Sequence, residues 1–119
     1  MDRYVFKILP AGLWHAAQTA GVFTGADVDI RDGYIHLSNA AQAGETARLH
    51  FAGQEGLVLL TVDGVALGDR LVWEPSRGGD LFPHLYGPLP VDAVVRVADI
   101  PPGPDGIPVL PAGLSGETL

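Results

Sequence analysis

The chain contains no cysteine. That excludes disulfides, thiolate metal sites and cysteine nucleophiles. Long hydrophobic runs are also missing. No apolar stretch approaches the ~20 residues that a membrane span needs. The opening segment Met1 to Lys7 has no basic part followed by an apolar part, so a signal peptide is not expected. These features predict a cytoplasmic protein without a membrane partner. Basic residues are scarce: seven Lys and Arg stand against fourteen Asp and Glu, for a net charge of −7. Such a balance repels phosphate backbones, so broad nucleic-acid binding is not expected. A small anionic ligand needs only a local cluster of donors. Two nucleotide fingerprints are absent, Gly-x-Gly-x-x-Gly and the P-loop pattern.

A chain of 119 residues fits one domain. Tyr4 to Leu9 alternates as a strand does. Ala11 to Ala20 is a helix, with Leu13, Trp14, Ala17 and Ala20 on one face and Gly21 as its stop. Val22 to Gly33 reads as a loop, because Gly25, Asp27, Asp29, Asp32 and Gly33 are turn formers. Tyr34 to Leu37 is a short strand. Asn39 and Gln42 form a capping-box signal for a second helix, whose apolar face is Ala40, Ala43, Ala47 and Phe51. Leu57 to Val62 is expected as a central strand buried on both sides. Asp63 to Asp69 is a loop or a single helical turn. Leu71 to Glu74 and Val94 to Ala98 are further strands. Pro83 and Pro88 assign Leu81 to Leu89 to an edge or a bulge. The reading is α+β: a small single domain of residues 1–100, with a central mixed or antiparallel sheet and two helices. Residues 101–119, rich in proline and glycine, are expected as a mobile tail that makes no ladder.

Three segments can carry chemistry. In Tyr34-Ile-His-Leu-Ser38 the strand period places Tyr34, His36 and Ser38 on one face, beside a helix start that favours anions. In Trp73-Glu-Pro-Ser-Arg-Gly-Gly79, Arg77 and the amides of Gly78 and Gly79 suit a phosphate, and Glu74 suits a general base or a ribose hydroxyl. In Phe82-Pro-His-Leu-Tyr-Gly87, Phe82, His84 and Tyr86 share a face and offer stacking and hydrogen bonding. The alternative for each segment is a polar surface or packed edge with no ligand. No metal is expected, since His15, His36, His50 and His84 show neither i,i+4 nor His-x-His spacing. Ser38 and Ser76 lack the glycines of a nucleophile elbow.

As a set, Asp32-Gly-Tyr-Ile-His-Leu-Ser38, Gln42 and the two later segments resemble the bacterial domain of unknown function 952 family, from about Tyr4 to Ile100. That resemblance implies a fold similar to ADP-ribosyltransferases, in particular RNA 2′-phosphotransferases. The Ile-His-Leu-Ser segment is similar to their His-bearing strand that contacts NAD. It implies a cleft binding NAD or a related nucleotide, with His36 and Glu74 as catalytic candidates. Tyr34, Ser38, Arg77, Gly78, Gly79, Phe82, His84 and Tyr86 are then the cofactor-binding candidates. An NAD-dependent transferase or glycohydrolase would follow. The chain departs from the phosphotransferases in their several arginines: only Arg77 lies in a motif. The alternatives are a non-enzymatic module that takes a small metabolite or peptide in the same cleft, and a protein with an interaction surface alone.

Overall fold

The computed structural model describes residues 2–114. Its elements are β1 (Tyr4–Pro10), α1 (Ala11–Ala20), β2 (Val22–Phe23), α2 (Asp27–Asp32), β3 (Ile35–His36), α3 (Ala40–His50), β4 (Leu57–Asp63), α4 (Gly64–Leu67), β5 (Leu71–Pro75), β6 (Leu81–Leu85), β7 (Leu89–Pro90) and β8 (Val94–Asp99). Strands pair antiparallel in the orders β1-β4-β8, β2-β7 and β3-β6-β5. Beyond the end of β3, Ser38 exchanges both backbone hydrogen bonds with Phe6, at 2.8 and 2.9 Å. This bridge splices the two larger sheets along the free edge of β1. The result is an α+β domain, and among the described residues no helix is long and apolar enough to cross a membrane.

Strand alternation divides the core. Val5, Leu9, Val58, Leu60 and Val62 face one cluster, with Trp14 and Ala17 of α1. Phe6, Ile8, Leu57 and Leu59 face the other, with Ala47 of α3. β4 is therefore buried on both faces, as its apolar run predicts. α1 ends at Gly21, which has φ 85° and donates its N–H to the Ala17 carbonyl. α3 begins with the reciprocal cap: Gln42 N donates to Asn39 Oδ1 at 2.8 Å and Asn39 N to Gln42 Oε1 at 3.0 Å.

The structure corrects three expectations. Residues 22–33 are not a loop, because they hold β2 and α2. Asp27 and Asp29 lie in the first turn of α2, where carboxylates suit the helix dipole. β6 is not an edge strand but lies between β3 and β5. Pro83 is tolerated because its carbonyl accepts from Leu37 N at 3.1 Å. Its nitrogen faces that same side, where the chain leaves β3 to join β1. Finally, residues 101–114 pair and pack. Pro102 bridges Pro108, Gly53 N donates to Gly106 O at 2.8 Å, and Leu110 and Leu114 lie against the second core cluster. Residues 115–119, the rest of the expected tail, lie outside the described residues.

Gly64 opens α4 against the N-terminal strand. Its N–H donates to Arg3 O at 2.7 Å. A Cβ at this position would meet that oxygen at 2.8 Å and Leu71 Cδ2 at 3.1 Å. Gly64→Ala should cost ~1–3 kcal/mol, because backbone must shift to admit the methyl group. A urea midpoint equal to the parent's would disprove the close approach.

Candidate functional site

Helix α2, strand β3 and the β5–β6 hairpin surround a cleft of about 860 Å³. Its apolar wall includes Phe6, Ile8, Leu37 and Phe82, and its polar residues include Asp32, His36, Ser38, Arg77 and His84. The pairing of β3 with β6 sets His36 opposite His84. Cross-strand partners project from the same face of a sheet, so both rings reach one side. Tyr34 stacks on His84 with centroids 4.0 Å apart, and lies 4.6 Å from His36 and 5.4 Å from Tyr86.

Behind this aromatic group lies a buried charge network. Lys7 shares strand parity with Val5 and Leu9, so its side chain enters the core. Its Nζ donates to Asp29 Oδ1 at 3.1 Å and to the His36 carbonyl at 3.0 Å. Asp29 is 2% exposed. It also accepts from Ala26 N at 2.8 Å, His36 N at 2.9 Å and His36 Nδ1 at 2.7 Å. Burial pushes the Asp29 carboxyl up. The His36 hydrogen bonds, the Lys7 charge and the Ala26 amide outweigh it and bring the group down to about 2. Burial pushes the Lys7 ammonium below its ordinary value, against the pull of Asp29. One carboxylate thus ties α2 to both β1 and β3. His36 Nε2 lies 2.9 Å from Asp32 Oδ2, which closes a second tie to the end of α2.

The hairpin supplies a second pair. His84 Nδ1 and the Tyr86 hydroxyl lie 2.8 and 2.7 Å from the same oxygen of Glu74, Oε1. The Tyr86 and His84 hydrogen bonds hold the Glu74 carboxyl below the usual range, and the carboxylate pushes the Tyr86 phenol up. Arg77 lies over the Phe82 ring at 4.8 Å and donates to Thr46 Oγ1 at 3.4 Å. Among the described residues it makes no salt bridge.

Of the residues singled out by sequence, His36, Ser38, Arg77, Phe82 and His84 line the cleft, whereas Tyr34, Glu74, Gly78, Gly79 and Tyr86 do not. Tyr34 lines a smaller hollow together with Ile35, Leu85 and Gly87. Ser38 is turned to Thr46, with oxygens 3.0 Å apart. Gly79 spends its amide on the Ser76 carbonyl at 2.8 Å, inside the turn Arg77–Gly79. Sequence reasoning missed Lys7 and Asp29. A lysine at core parity in β1 was the available signal, because a buried ammonium requires a partner. Among the described residues no group of three or more His, Asp and Glu side chains could hold a metal ion.

A comparison with curated proteins finds no match. Solved structures do match. The X-ray structure of protein CC0527 from Caulobacter crescentus is 51% identical, with a TM-score of 0.86, over 88% of this chain and 92% of that one. The solution NMR structure of CC0527 is 51% identical, with a TM-score of 0.81, over 89% of this chain and 91% of that one. Both are described as structural genomics targets, with no activity named. The family model for proteins of unknown function DUF952 matches residues 8–97. The chain belongs to the DUF952 family.

Proposed function

We propose that the domain is ADP-ribosyltransferase-like and that its cleft binds NAD or a related nucleotide. The observation that carries this reading is Arg77, whose Cζ lies over the Phe82 ring at the cleft wall and which makes no salt bridge among the described residues. A guanidinium placed over an aromatic ring and free of a salt bridge can make bidentate contact with a phosphate. The ligand's rings have an apolar wall to lie on, and the cleft volume is within the range of small-molecule sites. The resemblance in fold sets only a prior for function. NMR titration of labelled protein with NAD tests the reading. Resonances of His36, Arg77 and His84 should move together, and Arg77→Ala should weaken binding at least about tenfold, the loss of one charge-assisted contact. Millimolar NAD that shifts none of them would defeat the nucleotide reading.

A second reading is a binding module without turnover. The position of Glu74 favours it. The carboxylate suggested for activating a nucleophile lies outside the cleft lining and is engaged by His84 and Tyr86. NAD bound without release of nicotinamide would select this reading over a transferase or glycohydrolase.

A further inference from the structure

The two facing histidines of β3 and β6 have different surroundings. Both ring nitrogens of His36 lie against carboxylate oxygens, Asp29 Oδ1 at 2.7 Å and Asp32 Oδ2 at 2.9 Å. His84 has one nitrogen so placed, Nδ1 at 2.8 Å from Glu74 Oε1. An ionised carboxylate only accepts, so that contact fixes the proton on Nδ1. In the neutral ring Nε2 then carries the lone pair. Among the described residues no side-chain nitrogen or oxygen is both sealed from solvent and unpartnered. Nε2 of His84 makes no hydrogen bond there, so it keeps some contact with solvent although the residue is 4% exposed, and His84 lines the cleft. Tyr34, stacked at 4.0 Å, restrains the ring plane.

We infer that His84 Nε2 is the open proton acceptor of the cleft and takes a hydrogen bond from a ligand hydroxyl. On the nucleotide reading, on which this ligand assignment rests, that hydroxyl belongs to a ribose. Glu74 is a positioning residue that fixes the tautomer of His84. His36 is spent on holding α2 to β3 and offers the ligand neither ring nitrogen. This division departs from what the family resemblance implies, in which the strand bearing His36 contacts NAD.

The test uses the full chain with ¹⁵N-labelled histidine and long-range ¹H–¹⁵N correlation at neutral pH. His84 should show a protonated Nδ1 and an unprotonated Nε2. Glu74→Ala should mix the two tautomers. Glu74→Gln should restore the parent pattern, because the amide oxygen can accept from both His84 and Tyr86. Added NAD should shift Nε2 of His84 further than either nitrogen of His36. A His84 protonated on Nε2, a tautomer indifferent to Glu74→Ala, or NAD shifts confined to His36 would overturn the inference. If NAD shifts nothing, the nucleotide reading and the ribose assignment fall together. The tautomer measurement still decides, without any ligand, whether His84 is the open acceptor.

Discussion

Asp29→Asn should lower the melting temperature by about 10–20 °C, from a loss of ~3–5 kcal/mol when a buried ion pair loses one partner. The amide keeps the size of the carboxylate and removes its charge. Lys7 Nζ, side chain 7% exposed, would then sit in the core without a counter-ion. The introduced amide has one oxygen in place of two, and that oxygen cannot accept from Ala26, His36 and Lys7 at once. The loss should therefore be read together with Lys7→Met. The double variant should cost less than the two single losses added, because removing the cation removes the uncompensated charge. Strict additivity would show that the two groups do not act as a pair. The acid limb gives a second check. A carboxyl held at about 2 when folded and near 3.9 when unfolded stabilises the fold fully above the unfolded value. That contribution is lost as pH falls through the folded value. The parent should therefore lose stability between about pH 4 and pH 2 more steeply than Asp29→Asn does.

Deletion of Asp105 to Leu119 should lower the melting temperature by about 5–10 °C, from the loss of ~2–3 kcal/mol of apolar burial. Leu110 and Leu114 cover the cluster that contains the fully buried Ile100, along with Leu57 and Phe6. The deletion exposes part of that surface. It also leaves Gly53 N and Gly103 N without their carbonyl partners on Gly106 and Ile107. Denaturation of the shortened chain at an unchanged midpoint would show that these contacts contribute nothing. A milder variant, Leu110→Ala, should fall between the parent and the deletion.

What the sequence made legible was local. The apolar period of α1 and its Gly21 stop, the Asn39–Gln42 cap and the run Leu57 to Val62 all depend on neighbours a few residues apart. What it hid was tertiary. Five turn formers in residues 22–33 outweighed a six-residue helix whose reason to exist is the contact of Asp29 with Lys7, 22 residues earlier. The rule that keeps proline at sheet edges misplaced β6. What rescues Pro83 is the departure of β3 at Leu37, which no local pattern announces. The same limit governs the cleft. Parity correctly grouped His36 with Tyr34, and His84 with Tyr86. It could not show that α2 brings two carboxylates to His36, or that Glu74 reaches His84 from the adjacent strand.

The strand order has a consequence for biosynthesis. Tyr4 pairs with Asp63 and Pro10 with Leu57. β1 therefore has no partner in its sheet until residues 57–63 have emerged from the ribosome. β8, which completes that sheet beside β4, comes later still. At ~5–20 residues per second, β1 spends seconds with Val5, Phe6, Ile8 and Leu9 uncovered. Lys7, in the middle of that segment, keeps a charge there throughout the wait. The residue that ends as one half of a buried pair thus also interrupts, in the nascent chain, an apolar stretch that would otherwise run unbroken from Tyr4 to Trp14.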